Sequence, residues 1–336
     1  MKVLVLHDYV PDGAPPDQTD NLVQAEEVAA GLASLGHQAE KLAFTKEMEE
    51  NPQAIKGRRP DAVFNLVETP LGQARLIHMV PLLLDRLGVP YTGAGTRAML
   101  TTSNKLLAKK ELRKAGLPTP DWLTLSCGQD QISPKHSYLI KSVWEHGSVG
   151  VDESFFVPGK EGPAVREAMQ RHADLCGGES YAEAYVEGRE FNVSLLAGPQ
   201  GPEVLPMAEI VFEGFGRERL RVVGYKAKWV EDSYEFSHTP RRFDFPKEDQ
   251  DLLQDLKKLS LQCWRVFGLG GWARVDFRVD EKSSPWILEV NANPCLALNA
   301  GFMAAVRQAS LEQPGVLARI LGAAKPGCPG PAHLGK

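Results

Sequence analysis

Two neighbouring stretches of the sequence carry charged and amide side chains in a strand-like pattern. WILEVNANPC alternates so that Glu289 and Asn291 point to one face. GWARVDFRVD, just upstream, places Arg274 and Asp276 on one face in the same way. The intervening DEKSSP favours a hairpin turn, and pairing of the two strands would bring Asp276 beside Glu289.

This pair of carboxylates suggests a metal site. Two buried acids each lose hydration and repel one another, and a divalent cation would compensate both. Asp276, Glu289 and Asn291 are all oxygen donors without an accompanying Cys/His cluster, which favours Mg²⁺ or Mn²⁺ over Zn²⁺. Because Mg²⁺ usually retains water and phosphate oxygens, an incomplete protein shell indicates a phosphate-bearing ligand. The alternative is a strand whose carboxylates pair with surface lysines.

Lysines beside a glycine-bearing turn form a second group of candidates. Lys105 comes early in a predicted helix, and Lys141 ends an apolar strand that is followed by GSVG at 147–150. Backbone N–H groups of such a turn can fold over phosphates, and lysines can reach them as point charges. Each feature alone is also compatible with an ordinary hairpin and with lysines that extend to solvent.

The stretch EAYVEGREF, residues 183–191, joins two strand signals and contains several glutamates. An extended linker can offer its own amide and carbonyl groups to the edge of an adenine ring. Glu190 is suited to accept hydrogen bonds from ribose hydroxyls. A solvated, charged turn is the alternative interpretation.

Composition limits the class of protein and its partners. The 336 residues, 43% hydrophobic, predict two or three packed units. A net charge of −5, from 38 basic and 43 acidic residues, gives no basic footprint for nucleic acid and no polybasic membrane anchor. No stretch is long and apolar enough for a signal peptide or a membrane helix, and the five cysteines are scattered. We therefore expect a cytoplasmic protein with small-molecule partners, no nucleic acid and no membrane.

Residues 1–92 alternate strand and helix signals, which predicts a parallel βαβ domain. The expected elements are strands at 2–6 and 62–67 and helices at 21–35 and 74–87. In the first helix, the expected buried face is Leu22, Ala25, Ala29 and Leu32. No Gly-x-Gly-x-x-Gly follows the first strand, so a dinucleotide site is not expected.

The rest of the chain predicts two further units and a tail. After a hinge at 92–96, a small α+β unit over 93–180 would contain helices at 104–115 and 163–175 and a strand at 138–143. From residue 181 the sequence alternates with period two, most clearly at 190–195. The remaining strands are expected at 203–212, 220–229, 272–279 and 286–291, with helices at 247–267, 300–309 and 311–323. These patterns favour an antiparallel-sheet domain over 181–325, followed by a flexible tail over 326–336. The fold class is thus α/β and α+β.

The order of these segments resembles the ATP-grasp superfamily, and within it the D-alanine–D-alanine ligases and their relatives. The resemblance extends from about Ala62 to Phe302. It is carried by NLVETPLGQARL, VPYTGAGT, SNKLLAKKELRKAGLPTP, IKSVWEHGSVGV, EAYVEGREFNV, GYKAKW, GWARVDFRVD and LEVNANP. It implies the ATP-grasp fold and an ADP-forming enzyme that joins a carboxylate to an amine.

The resemblance also implies roles for individual residues toward ATP and Mg²⁺. Those expected to bind ATP are Lys105, Lys141, Gly147, Ser148, Val149, Glu183, Val186 and Glu190. Of these, Glu183 and Val186 would use their backbones toward adenine. Asp276, Glu289 and Asn291 would hold two Mg²⁺ ions, with Glu289 between them and Mn²⁺ as a substitute. Lys228 would reach the terminal phosphate and Arg274 would stabilise an oxyanion.

The implied reaction passes through an acyl phosphate. One substrate's carboxylate attacks the γ-phosphate of ATP, and an amine then displaces phosphate to form a peptide or amide bond. Water must be excluded while the intermediate exists, so the loop at 145–153 is expected to close over the site.

Several positions depart from the ligase pattern where substrates would bind. Trp229 stands at a tyrosine position, Gly147 at a serine position and His146 at a glycine position, while Pro294-Cys295-Leu296 replaces Pro-Gly-Met. We therefore expect amino-acid-like substrates other than D-alanine. The candidate substrate residues are Glu68, Arg75, Trp229, Arg241, Arg242 and Cys295, each of which could instead be an ordinary surface or packing residue.

Three alternatives stay open from the sequence. The chain could be a D-alanine–D-alanine ligase proper, a nucleotide-binding module without catalysis, or a phosphotransferase that releases its acyl phosphate. A homodimer is a further expectation from the resemblance.

Overall fold

The computed structural model describes residues 1–47, 49–128, 131–216 and 218–326. Within that part of the chain, the strands form a three-stranded, a four-stranded and a six-stranded sheet. In the same part, no helix is long and apolar enough to cross a membrane. The tail expected over 326–336 lies almost wholly outside the described residues.

The N-terminal sheet is parallel, with the order β2-β1-β3. Its strands are β1 (Lys2–Asp8), β2 (Gln38–Phe44) and β3 (Ala62–Asn65), and its helices are α1 (Pro16–Ser34), α2 (Glu50–Arg58) and α3 (Met79–Leu87). Because side chains alternate along β1, Val3 and Val5 pack toward α1, whereas Leu4 and Leu6 pack toward α2 and α3. The predicted parallel βαβ domain is confirmed.

The predicted buried face of α1 was wrong in part. Leu22 is exposed and Ala29 is only half-buried, while the polar Asn21 and Gln24 are buried. Asn21 accepts a hydrogen bond from the amide of Asp8 at 2.8 Å and donates to the carbonyl of Leu66 at 2.9 Å. The helix is therefore rotated so that amide side chains satisfy backbone groups at the ends of β1 and β3.

The helix predicted over 74–87 begins later than expected. A short 3₁₀ turn covers Ala74–Leu76, and α3 starts only at Met79. Pro81 explains the difference, because proline has no backbone N–H and is tolerated only in the first turn of a helix.

The central sheet is antiparallel, with the order β4-β7-β5-β6. Its elements are β4 (Trp122–Thr124), β5 (Ser137–Ser142), β6 (Phe156–Pro158), α6 (Gly162–Cys176) and β7 (Ser180–Ala184). Val165 and Met169 of α6 pack on Ile140 and Ala182. β7 thus pairs within the central sheet, although the predicted boundary at 180 assigned most of it to the C-terminal unit. We retain the three units as a proposal, with this boundary moved to the end of β7.

The third sheet has the order β11-β10-β8-β12-β13, and β9 also pairs with β8. Its strands are β8 (Arg189–Gly198), β9 (Gly201–Val204), β10 (Ala208–Ile210), β11 (Arg241–Arg242), β12 (Trp272–Val279) and β13 (Pro285–Asn291). The helices that accompany it are α4 (Thr96–Ser103), α5 (Lys105–Lys114), α9 (Gln250–Phe267), α10 (Gly301–Gln308) and α11 (Gln313–Gly322). Phe191 and Val193 of β8 pack under α9, which leaves Glu190 and Asn192 on the opposite face.

The strand predicted over 220–229 was wrong. The segment is an irregular loop followed by α7 (Tyr225–Trp229), and α8 (Tyr234–Ser237) comes next. Its backbone binds the loop at 145–153 rather than a sheet, since the amide of Tyr225 donates to the carbonyl of Val151 at 3.2 Å. The strand predicted over 203–212 is also interrupted at 205–207, where Pro206 lacks a ladder donor.

After α11 the chain returns to the N-terminal unit. Lys325 and Tyr91 exchange backbone hydrogen bonds of 2.8 and 3.1 Å, beside the connection at 92–96. The Lys325 side chain lies against Gly95 and Gly270.

Candidate active site

A cavity of about 960 Å³ lies where the three sheets meet. Nearly all the predicted site residues line it. They are Glu68, Lys105, Lys141, Gly147, Ser148, Val149, Glu183, Val186, Glu190, Lys228, Trp229, Arg241, Arg274, Asp276, Glu289, Asn291 and Cys295. Arg75 is instead exposed and donates to Gln73 at 2.8 Å. Arg242 is exposed and pairs with the buried Glu209, away from the residues that line the cavity.

Asp276 and Glu289 stand directly opposite each other on β12 and β13. The hairpin predicted from the sequence is therefore confirmed. The register shifts immediately after Asp276, at a β-bulge before Phe277. Such bulges are common beside active sites, where they redirect a side chain.

Cationic and amide groups hold the carboxylate of Asp276. Arg274 contacts both of its oxygens, with Nε–Oδ1 at 2.7 Å and Nη2–Oδ2 at 2.8 Å. Asn192 donates to Oδ1 at 2.9 Å. Burial alone would lower the pKa of Arg274, but the neighbouring Asp276 and Glu289 hold it above its ordinary value. The guanidinium thus stays charged in a confined site.

Glu289 lies near two other nitrogens. Its Oε1 is 3.7 Å from Lys105 Nζ and 3.5 Å from His146 Nδ1. Burial would raise the pKa of Glu289, but Lys105 and His146 outweigh burial and hold that pKa well below its ordinary range. In the sequence His146 stands out only as a departure from the family pattern in the loop. Its contact with Glu289 was not predicted, because it joins distant parts of the chain.

The donor set suits a hard divalent cation. Asp276 and Glu289 supply carboxylates, and Asn291 Oδ1 accepts one hydrogen bond from the amide of Asn293 at 2.9 Å, which leaves it a second lone pair. In the described residues, no group of three or more His, Cys, Asp or Glu side chains could hold a metal by itself. Mg²⁺ with phosphate oxygens completing its shell therefore fits these residues better than a fully protein-bound metal.

A buried ion cluster supports the wall formed by the central sheet. Glu183 lies between Lys109, whose Nζ is 2.6 Å from Oε1, and Lys141. Burial would raise the pKa of Glu183, but the two lysines hold it below its ordinary range. Lys109 also donates to Thr119 at 2.9 Å. Lys109 was not predicted from the sequence, and Glu183 was expected to act through its backbone rather than through this side-chain contact.

Arg278 organises the segment expected to bind adenine and ribose. Its Nε donates to the carbonyl of Val186 at 2.8 Å, and Nη1 lies 3.3 Å from Glu190 Oε2. Burial raises the pKa of Glu190 even though Arg278 opposes the shift. Arg278 was also missed, although its position two residues after Asp276 on β12 places it on the same face.

The loop at 145–153 carries a strained turn over the cavity. Ser148 has φ of 64°, a conformation that costs energy for a residue other than glycine. Its hydroxyl donates to the carbonyl of Val223 at 2.7 Å, and the indole N–H of Trp229 donates to the carbonyl of Gly147 at 2.9 Å. Lys228, next to Trp229, faces the cavity, and burial followed by the nearby Arg274 lowers its pKa.

The N-terminal unit contributes acidic side chains to the cavity. Both oxygens of Asp8 accept backbone hydrogen bonds, from Glu68 at 2.8 Å and from Thr69 at 2.9 Å. Gln24 donates to Glu68 at 3.4 Å. Burial and the neighbouring Asp8 raise the pKa of Glu68 to about 8, and burial raises that of Asp8 to about 6.

Cys295 donates its thiol to Asp20 at 3.1 Å. Burial, followed by Asp20 and Glu68, raises the pKa of this thiol well above its ordinary value. Since the thiolate is the nucleophilic form, Cys295 is suited to packing and hydrogen bonding rather than covalent catalysis.

Comparison with known proteins identifies the family. Residues 112–322 match the family model described as the D-ala D-ala ligase C-terminus. The chain belongs to the D-alanine–D-alanine ligase family. This ligase is 29% identical to the D-alanine–D-alanine ligase of Moorella thermoacetica, over 96% of the chain and 98% of that protein. It is 28% identical to that of Aquifex aeolicus, over 88% of the chain and 90% of that protein.

Solved structures show the same fold. The D-alanine–D-alanine ligase of Bacillus anthracis, crystallised with ATP, matches with a TM-score of 0.72 at 20% identity, over 96% of this chain and 97% of that one. The Coxiella burnetii enzyme matches with a TM-score of 0.69 at 15% identity, over 96% and 93%. The fold of this ligase is therefore ATP-grasp, as expected. The protein is an ATP-dependent enzyme that forms a carbon–nitrogen bond between a carboxylate and an amine.

Proposed function

We propose that this ligase couples amino-acid-like substrates other than D-alanine, releasing ADP and passing through an acyl phosphate. The observation that carries the proposal is the meeting of Arg274, the Asp276–Glu289 pair and the lysines in one cavity. A site that only bound nucleotide would have no need of a charged arginine beside the metal-binding acids.

Each group has a distinct task in the proposed reaction. Lys105, Lys141 and Lys228 place positive charge around the phosphates, and Glu190 with the Val186 backbone receives the nucleoside. Asp276, Glu289 and Asn291 would hold two Mg²⁺ ions, which neutralise charge on the transferring phosphoryl group. Turnover measured as a function of Mg²⁺ or Mn²⁺ concentration would test both the number and the kind of ion.

Arg274 is positioned to stabilise the tetrahedral oxyanion formed when the amine attacks. Asp276 engages its Nε and Nη2. The orientation of the guanidinium is therefore fixed in advance, and Nη1 is the nitrogen we assign to the substrate oxygen. Donors fixed before the reaction lower the barrier because they need no reorganisation during it.

The polarity of the cavity supports a zwitterionic substrate. Glu68 lines the N-terminal wall, and Arg241 lines the wall formed by the third sheet. We assign a carboxylate of the substrate to Arg241, whose planar guanidinium binds carboxylates bidentately. The substrate's ammonium group is assigned to Glu68, whose carboxyl would give up its proton as the cation binds beside it. The contact between Trp229 and Gly147 supports substrates other than D-alanine. The family pattern has a tyrosine and a serine at these two positions, whereas here the indole N–H donates to a backbone carbonyl.

D-alanine–D-alanine ligation is the second candidate, since relatives that align over nearly the whole chain carry that name. A screen for ADP and phosphate release separates the candidates. Amino acids and small carboxylates, including D-alanine, would be supplied with Mg-ATP singly and in pairs, and products identified by mass spectrometry. We expect turnover to need a pair other than D-alanine.

D-alanyl-D-alanine as the main product would overturn the substrate assignment. ADP release without any amine would instead indicate a phosphotransferase. Light scattering of the same preparation would test the proposed homodimer.

A further inference from the structure

Two segments cover the cavity and bind each other. We call residues 145–153 the phosphate loop and residues 220–229 the cover segment. Ser148 and Trp229 connect them through the hydrogen bonds of 2.7 and 2.9 Å described above. The amide of Leu220 also donates to Glu153 at 3.2 Å. Contacts therefore extend along the length of both segments.

Gly224 makes the closest approach between the two segments. A Cβ atom at this position would lie 2.5 Å from the carbonyl oxygen of Val151, closer than any real side chain permits. The backbone of Gly224 is extended, with φ of −80° and ψ of −172°, so alanine would be unstrained apart from this contact. The phosphate loop and the cover segment are thus packed backbone to backbone and form one lid.

This lid reaches the N-terminal unit through Tyr225. Its hydroxyl donates to Asp17 Oδ1 at 2.8 Å, although the two residues are far apart in sequence. Asp17 stands in the first turn of α1 and lines the cavity. Burial and the bond to Asp17 raise the pKa of Tyr225 to about 12, so the hydroxyl keeps its proton and remains a donor near neutral pH. A hydrogen bond to a carboxylate is stronger than one between neutral groups.

The same bond fixes the short helix α7. Tyr225 anchors its first residue to the N-terminal unit, and Trp229 anchors its last residue to the phosphate loop. Lys228 lies between the anchors and faces the cavity. Release of either anchor would free Lys228 to move away from the phosphates.

We propose that Tyr225 is a positioning residue that, through Asp17, fastens the whole lid to the N-terminal unit and holds Lys228 in place. This inference rests on the proposed function in one respect, namely that the closed lid protects an acyl phosphate from water. It concerns residues of this chain that do not themselves touch the reacting atoms.

The test compares Y225F, D17A and the double variant with the unaltered enzyme. Hydrogen–deuterium exchange of residues 145–153 and 220–229 reports closure without catalysis. We expect both segments to exchange about tenfold faster in each single variant. The double variant should exchange no faster than either single one, because both changes remove the same bond. G224A should accelerate the same segments by separating them.

Y234F is the matched control. Tyr234 follows in α8, and its hydroxyl donates to the carbonyl of Glu213 at 3.2 Å rather than to the N-terminal unit. Exchange in the lid should be unchanged in this variant. Unchanged exchange in Y225F, or effects of Y225F and D17A that add in the double variant, would overturn the proposal.

The ratio of ADP released to amide formed is the second measurement, once a substrate pair is known. Y225F should raise the amount of ADP released per amide formed, because water reaches the intermediate. A purely structural defect would lower both products in parallel and would contradict the assignment. The exchange measurement stays valid whatever the substrates prove to be, so failure of this inference is distinguishable from failure of the proposed function.

Discussion

Arg274 and Asp276, two residues apart on β12, form a bidentate ion pair inside the cavity. The acid expected to bind metal is therefore already compensated by the arginine expected to bind the oxyanion. A cation bound by Asp276 would have to share that carboxylate with Arg274. The metal site is therefore coupled to the oxyanion site.

Replacing Arg274 by Ala should spare ATP binding and depress amide formation by about a hundredfold to a thousandfold. The reason is that the guanidinium acts mainly on charge that develops in the transition state. Calorimetry with ATP and steady-state assays of the product measure the two effects separately. R274K should recover part of the loss, since it restores the charge without the fork of donors. An amide-forming rate equal to that of the unaltered enzyme would remove Arg274 from the mechanism.

Glu289→Gln should lower turnover by about a hundredfold or more, because a neutral amide in place of the carboxylate weakens the cation site. Folding should change little, and a thermal melt would show it. E281Q, in the exposed turn of the same hairpin, is the control and should keep full activity. Should E289Q turn over as fast as E281Q, Glu289 is not a metal ligand.

Lys109→Met should destabilise the fold by about 3 kcal/mol, because it leaves Glu183 buried with one cation in place of two. Urea unfolding followed by circular dichroism measures the change. K110M alters the neighbouring exposed lysine and should cost little. Equal unfolding midpoints for the two variants would show that the cluster contributes nothing to stability.

Glu68 should make stability depend on pH. Its pKa rises from an ordinary value of 4.5 to about 8, so the folded state keeps a proton that the unfolded chain has lost. This contribution is fully present below pH 4.5 and disappears as the pH rises through 8. E68Q stays neutral at every pH. As the pH rises from 5 to 8, its free energy of unfolding should therefore increase by roughly 2 kcal/mol relative to that of the unaltered enzyme.

Denaturant unfolding at those two pH values tests the prediction. The expected change in free energy is smaller than the full shift in the pKa of Glu68 implies, because solvent in the cavity screens this side chain. E248Q, on the exposed surface, is the control. Parallel pH curves for E68Q and the unaltered enzyme would contradict the prediction.

The site could be predicted from the sequence where its geometry is local. Asp276 and Glu289 belong to one hairpin, so period-two alternation and a short turn were enough to place them opposite each other. The roles of Lys109, His146 and Arg278 were not predicted, because their partners lie far along the chain and no spacing rule applies at that separation. A lysine in the middle of a helix looks the same in sequence whether it is buried or exposed.

The wrong predictions of secondary structure and burial have the same origin. Residues 220–229 alternate like a strand, but contacts with the phosphate loop decide their conformation. Leu22 is exposed because Asn21 and Gln24 must face inward to satisfy backbone groups. In each case a tertiary contact overrides a local preference, as intrinsic propensities are weak.

The pairing of Lys325 with Tyr91 limits how the N-terminal unit can turn. The polypeptide crosses between this unit and the rest of the protein at 92–96 and again at Lys325, at adjacent points. Two adjacent connections restrict rotation of the unit more than a single linker would. The N-terminal unit also packs against β12, α10 and α11 in one hydrophobic core, so the shared core as well as the pairing resists any opening of the ligase.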